Sequence, residues 1–220
     1  MRTGTRILLG IAAVKAVALV GIGAALAAGV HRRLGTTAAE NASPLPGDDL
    51  VPDATIQNDR ATTISAPPEK VWPWLAQIGQ DKAGFYSFEA LENAMGCEIS
   101  GAEHINPQWQ DVQVGDLVTL APGMGIRVAA VRPGSHLVLT SEGGEYPADA
   151  EGKMDFDFTW TFRLVPVADA DGEPATRVHV RERYRPHDRS TSRTLHAVAV
   201  GSAIMTWKML RNIRRLAESH

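Results

Sequence analysis

The clearest hydrophobic pattern of the chain is a strict alternation in its second half. Between Met154 and Leu164 every second side chain is apolar, and the intervening side chains are polar. Since successive side chains of a strand point to opposite faces, this pattern predicts a strand with one apolar and one polar face. Val178, Val180 and Tyr184 repeat the alternation. They predict a second strand of the same kind.

Three further strand-like runs lie earlier in the chain and are separated by turn signals. They cover Asp116–Leu120, Ile126–Arg132 and His136–Ser141, with Pro-Gly pairs at 122–123 and 133–134 between them. Because Pro-Gly pairs mark tight turns, the runs predict an antiparallel meander.

Helical patterns lie on both sides of these strands. A short β-prone run at Arg60–Ile64 leads into a helix predicted between Pro67 and Gly79, and a second short helix is predicted from Ser87 to Met95. From Thr194 to Glu218 apolar residues recur at the spacing of one helix face. Such a helix is long enough to cover the apolar face of a sheet, so the elements together predict an α+β fold.

The first apolar stretch of the chain predicts a membrane anchor. Residues 7–30 are apolar or glycine except for Lys15, which is sufficient length for a helix that crosses a hydrocarbon core of ~30 Å. We therefore expect a single-pass anchor over residues 1–34 and a membrane contact through residues 7–30. Basic residues lie on both sides of the stretch, so the orientation stays open. The alternative is a cleaved signal peptide, with Ala25-Leu26-Ala27 as the cleavage site.

The segment after this stretch has the composition of a tether. Residues 35–58 are rich in Thr, Ala, Ser, Pro, Gly and Asp and have no sustained period, which is typical of a flexible linker. The folded domain is then predicted to cover residues 59–220.

Charge argues against a nucleic-acid-binding protein. Residues 1–33 contain five Lys or Arg and no Asp or Glu, which leaves 17 basic against 25 acidic side chains in the rest of the chain. An acidic domain lacks the basic surface that phosphate backbones require. We expect no nucleic-acid partner.

Motifs for metal, cofactor or nucleophilic chemistry are not found in the sequence. Cys97 is the single cysteine, and the seven histidines form no His-Glu-x-x-His pattern. There is no Gly-x-Ser-x-Gly elbow and no Gly-Lys-Ser/Thr phosphate loop. We therefore predict no metal site and no cofactor.

The residues also resemble a known superfamily. The run from Ile64 to Leu75, Ile-Ser-Ala-Pro-Pro-Glu-Lys-Val-Trp-Pro-Trp-Leu, is similar to the opening of START-like (SRPBCC) proteins, and shorter words such as Gly84-Phe85-Tyr86-Ser87 and Val114-Gly115-Asp116 follow in the order seen in a bacterial branch with an N-terminal membrane segment. This superfamily includes polyketide cyclases/dehydrases and lipid-transfer domains. The resemblance implies a helix-grip fold, a curved antiparallel sheet wrapped around a long C-terminal helix, with an internal site for an apolar ligand.

Large apolar side chains are the candidates for lining such a site, since aromatic rings stack on polycyclic ligands. The predicted ligand-binding residues are Trp72, Tyr86, Trp109, Phe158, Trp160, Tyr184, Met205 and Met209. Glu182 falls on the apolar face of its strand by parity. A carboxyl group in that position is a candidate general acid or base, unless a bulge reverses the parity near the strand end.

Three functions remain open at this point. The first is binding or transfer of a lipid-like or polycyclic molecule at a membrane. The second is a cyclase/dehydrase-type enzyme that uses Glu182. The third is a partner-binding regulator, indicated by the basic helix face of Lys208, Arg211 and Arg215.

Overall fold

The computed structural model describes residues 29–94, 96–97, 99–146 and 155–219. Its largest element is a seven-stranded sheet in the order β1-β2-β7-β6-β5-β4-β3. The strands are β1 (Arg33–Leu34), β2 (Ile56–Ile64), β3 (Leu117–Ala121), β4 (Met124–Arg132), β5 (His136–Glu145), β6 (Phe156–Ala168) and β7 (Pro174–Pro186). All neighbouring strands are antiparallel except β1 and β2, which run parallel.

Helices complete the domain. The α-helices are α1 (Ala38–Ala42), α2 (Pro68–Ala76), α3 (Glu89–Ala94) and α4 (Arg189–Ser219), and short 3-10 turns cover Val30–Arg32, Asp48–Leu50 and Pro107–Trp109. The described residues thus form an α+β domain with a curved sheet and a long C-terminal helix, which fits the predicted helix-grip arrangement.

Helix α4 begins earlier than its apolar pattern predicts. Its first turn is capped by Asp188, whose Oδ1 accepts hydrogen bonds from the backbone N–H groups of Ser190 (2.7 Å) and Thr191 (3.0 Å). A side-chain acceptor at this position satisfies N–H groups that have no partner within the helix. The cap therefore extends the helix over a polar turn that the hydrophobic spacing could not reveal.

The core lies where the apolar faces of the long strands meet the helices. Phe162 and Leu164 of β6 and Val178 and Val180 of β7 have no exposed side-chain surface. They confirm the alternation predicted for these two strands. The helical side chains that pack on this face include Val71, Trp74 and Leu75 of α2 and Met209, Ile213 and Leu216 of α4.

The predicted membrane anchor lies almost wholly outside the described residues. The last residue of its apolar stretch, Val30, belongs to the 3-10 turn Val30–Arg32, which follows Gly29 in a left-handed conformation (φ 70°). Residues 33–34 then pair with β2. In the described part of the chain, no helix combines the length and the apolarity needed to span a membrane. On this finding the prediction of a single-pass membrane location is wrong, whereas the predicted membrane contact through residues 7–30 falls almost wholly outside the described residues.

The segment expected to be a flexible tether packs on the polar face of the sheet. Glu40 accepts a hydrogen bond from Arg177 (2.7 Å), while Arg181 donates to the backbone carbonyl of Ser43 (2.9 Å) and to the carboxylate of Asp48 (2.7 Å). The composition of the segment did not indicate this packing, because its partners are alternate arginines of β7, far away in the sequence. We call residues 35–53 the N-terminal strap.

Candidate functional site

A cavity of about 670 Å³ lies between α4 and the apolar face of the sheet. It arises because α4 approaches β2 closely through small side chains, Ala199 and Ala203, both of which are buried. The neighbouring helix face carries Val198, Ser202 and Met205, which line the cavity. The helix therefore contacts one end of the sheet and leaves room over the strands at the other end.

The sheet side of the cavity is an aromatic wall. Phe158 and Tyr184 are adjacent partners on β6 and β7, and their rings stack with centroids 4.6 Å apart. Phe156 contacts the same tyrosine ring (5.8 Å), and Phe85 reaches Trp160 from the loop before α3 (6.3 Å). Such ring pairs favour one fixed arrangement, so this wall is preorganised.

Two carboxylates, Asp155 and Glu182, are among the polar residues that line the cavity, and of these two only Glu182 is buried. Glu182 lines the cavity, and its Oε2 accepts hydrogen bonds from Asn58 (3.2 Å) and Tyr184 (3.3 Å). Arg60 Nη1 lies 2.9 Å from the same oxygen, and the Ser202 hydroxyl of α4 donates to Oε1. The inward orientation follows from strand parity, since the β2–β7 and β6–β7 registers run without a bulge.

Burial governs the electrostatics of this cluster. The side chains of Arg60 and Glu182 are 1% and 5% exposed. Burial is the largest cause that raises the pKa of Tyr184 well above its ordinary value, and the negative charge of Glu182 adds to it. The phenol therefore stays protonated and donates its hydrogen bond at neutral pH. Glu182 is thus no isolated carboxylate, because an arginine and three neutral donors surround it.

Five of the eight predicted ligand-binding residues line the cavity. They are Phe158, Trp160, Tyr184, Met205 and Met209.

The other three lie elsewhere. Trp72 is buried on α2, and Trp109 packs against the core from a 3-10 turn. Tyr86 is buried with its hydroxyl accepting a hydrogen bond from Gln77 (2.9 Å), and burial raises its pKa. Strand parity identified the residues on β6 and β7, and helical periodicity identified those on α4. The positions of Tyr86 and Trp109 depend instead on loop and turn geometry.

Sequence reasoning missed two residues beneath the cavity, Asn58 and Arg60. They share the parity of Ile56 and Ile64, both fully buried on β2. That parity was the available signal, but β2 begins before the predicted domain start at residue 59, so its full alternation was not recognised. Within the part of the chain that the structure describes, no three His, Cys, Asp or Glu side chains are grouped closely enough to hold a metal ion.

Comparison with known proteins gives structural likeness only. No family model matches the chain, and no curated protein matches it. A crystal structure of a protein from Chromobacterium violaceum is 18% identical and has a TM-score of 0.44, with 74% of this chain and 96% of that chain covered. A solution structure of an Arthrobacter aurescens protein is 13% identical (TM-score 0.41; 74% and 87% covered), and truncated norcoclaurine synthase from Thalictrum flavum is 11% identical (TM-score 0.41; 75% and 94% covered). At these identities and TM-scores, the likeness says nothing about activity.

Proposed function

We propose that this protein binds an apolar small molecule, with a lipid-like or polycyclic body, in the cavity between α4 and the sheet. The observation that carries the proposal is the cavity itself, about 670 Å³ with aromatic and methionine walls. Ligand pockets typically enclose ~300–1,000 Å³ and combine apolar walls with a few fixed polar groups. Both properties are found together here.

The polar groups indicate where the ligand carries its own polar atom. The hydroxyls of Tyr184 and Ser202 already donate to Glu182, so their oxygens are left to accept a hydrogen bond from a ligand hydroxyl or amine. Trp160 Nε1 is buried and has no partner among the described residues. A ligand carbonyl or hydroxyl oxygen would satisfy that donor. We therefore expect an apolar molecule with one or two polar atoms rather than a pure hydrocarbon.

A cyclase/dehydrase-type enzyme is the second candidate, favoured by the carboxylate of Glu182 at the cavity. General acid–base catalysis needs such a group within hydrogen-bond reach of a reacting atom. The buried ion pair with Arg60 (2.9 Å) favours the binding function over the enzyme, because the guanidinium fixes the carboxylate in one position.

Native mass spectrometry of the full chain, purified from its own host, tests the binding function. We expect a co-purified apolar molecule and saturable binding of the neutral dye N-phenyl-1-naphthylamine. Met205→Trp should weaken both, since the larger ring occupies part of the cavity that Met205 lines. Ile204→Trp is the matched control, because Ile204 precedes Met205 on α4 and is 55% exposed. Equal binding by wild type and Met205→Trp, or no binding of either molecule by wild type, would exclude a ligand in this cavity.

A further inference from the structure

A second concave space lies on the other side of the buried ion pair. This groove has a volume of about 570 Å³ and runs between α4 and the edge of the sheet formed by β1 and β2. Arg60 lines the groove, while its partner Glu182 lines the main cavity. The ion pair therefore separates two sites of different character.

The groove is basic. Three of its lining residues are arginines, Arg60, Arg211 and Arg214, and none of its described lining residues is acidic. Arg214 donates to Glu218 of the next helical turn (2.9 Å). Arg211 forms no ion pair with a carboxylate of the described residues and lies over the ring of Trp207, 5.5 Å from its centre.

A buried donor of one lining residue lacks a partner. Arg60 is 1% exposed, yet its Nε has no hydrogen-bond partner among the described residues. Arg32 Nε and the ring nitrogens of His31, which do not line the groove, also have no partner there. Buried polar groups in native proteins are nearly always paired, so an unpaired buried donor in a lining residue is consistent with a ligand acceptor in the groove. Burial lowers the pKa of His31, and the positive charges of Arg32, Arg60 and His196 lower it further. Positive charge is thus concentrated at this edge of the sheet.

The groove also has an apolar part. Trp207 is half-exposed, and Leu34 and Leu210 line the same space. Large exposed aromatic residues on a concave surface are typical anchors for a ligand.

We propose that this groove binds a small organic anion, whose carboxylate or phosphate lies among Arg60, Arg211 and Arg214 and whose apolar body packs on Trp207. Guanidinium groups present forked donors that match both oxyanions. Because Arg60 is also the partner of Glu182, an anion in the groove would interact with the same guanidinium that fixes the carboxylate of the main cavity. The two sites are then coupled through one side chain.

Isothermal titration calorimetry on the full chain at an ionic strength of ~0.1 M, where the Debye length is ~10 Å, tests the site. Phenyl phosphate is the probe and inorganic phosphate is the comparison. We expect phenyl phosphate to bind more tightly, and Arg211→Gln/Arg214→Gln to weaken it by about tenfold or more, which corresponds to the loss of charge-assisted hydrogen bonds. Arg189→Gln/Arg193→Gln is the matched control, because it removes the same two charges from exposed positions at least five turns earlier on α4. This control should leave affinity within about twofold, since charges so far apart are screened.

Each contrary outcome overturns part or all of the proposal. No binding of phenyl phosphate, or unchanged binding by the double variant, overturns the site. Equal affinity for inorganic phosphate overturns the apolar part of the ligand. Retention on phosphatidic acid vesicles without binding of free phenyl phosphate assigns the phosphate to a lipid headgroup and overturns the small-molecule ligand. None of these measurements requires a ligand in the main cavity, so the groove proposal can fail while the proposed binding function stands.

Discussion

Removal of Arg60 should destabilise the protein far more than removal of an exposed arginine. In Arg60→Met the side chain keeps much of its length but loses its charge, and Glu182 stays buried with a carboxylate that has lost its cation. Breaking a buried ion pair in this way typically costs ~3–5 kcal/mol. The three neutral donors that remain on Glu182 place the expected loss near the lower end of that range.

A second substitution, Glu182→Gln, should restore part of the stability that Arg60→Met loses. In Arg60→Met/Glu182→Gln no buried charge is left, and replacing both partners of a buried pair by neutral groups is often close to neutral in stability. We therefore expect the double variant to be more stable than Arg60→Met alone, although one further substitution has been made. A thermodynamic cycle of the four proteins measures this coupling.

The assay is urea unfolding followed by far-UV circular dichroism at pH 7, which gives the free energy of unfolding if the transition is two-state. Arg214→Met is the matched control, since its pair with Glu218 is exposed and of the i,i+4 kind, which is worth ~0.3–0.5 kcal/mol. The reasoning is refuted if Arg60→Met costs no more than this control, or if the double variant loses the sum of the two single losses.

Two further predictions concern carboxylates. Glu182→Gln should retain dye and ligand binding, because the amide keeps the shape of the side chain and one accepting oxygen. An enzyme would lose ~10²–10⁴-fold in turnover, whereas a binding protein would show no such defect in a ligand-retention assay. The hydrogen bond from Arg177, opposed by burial and aided by Thr37, lowers the pKa of Glu40 from 4.5 to about 2. Its stabilising contribution is therefore complete above pH 4.5 and is lost as the pH falls towards 2. Thermal unfolding over that range should show a steeper loss for wild type than for Glu40→Gln, and parallel curves would contradict the prediction.

Strand alternation predicted more of the site than any other signal. It identified the faces of β6 and β7, the stacked pair Phe158 and Tyr184, and the inward position of Glu182. It could not identify the partner of Glu182. Arg60 lies on β2 and Glu182 on β7, and local sequence does not indicate that these two strands pair. The hydrophobic pattern of a strand indicates which side chains point inward, but it does not indicate which buried polar groups contact each other.

Loops and long-range polar contacts account for the remaining errors. Tyr86 has a positive φ (55°), and its hydroxyl contacts Gln77 across a turn, so its position depends on backbone geometry that no periodicity encodes. The N-terminal strap looked like a tether because its own side chains are small and polar. The groups that hold it, Arg177 and Arg181, belong to a strand more than a hundred residues later.

The N-terminal strap determines where the chain can be truncated without a loss of stability. A truncated chain that begins at Asp59 would lack the first residues of β2. It would also lack the contacts of Arg181 with Ser43 and Asp48. Its guanidinium, 2% exposed in the intact protein, would be left against the sheet with only the Asp59 carboxylate as an ion-pair partner among these contacts. Cleavage within the strap should consequently lower the melting temperature of the whole sheet rather than release a passive tail. The N-terminal strap is thus part of the folding unit, and proteolysis within residues 35–53 should shorten the lifetime of the whole domain.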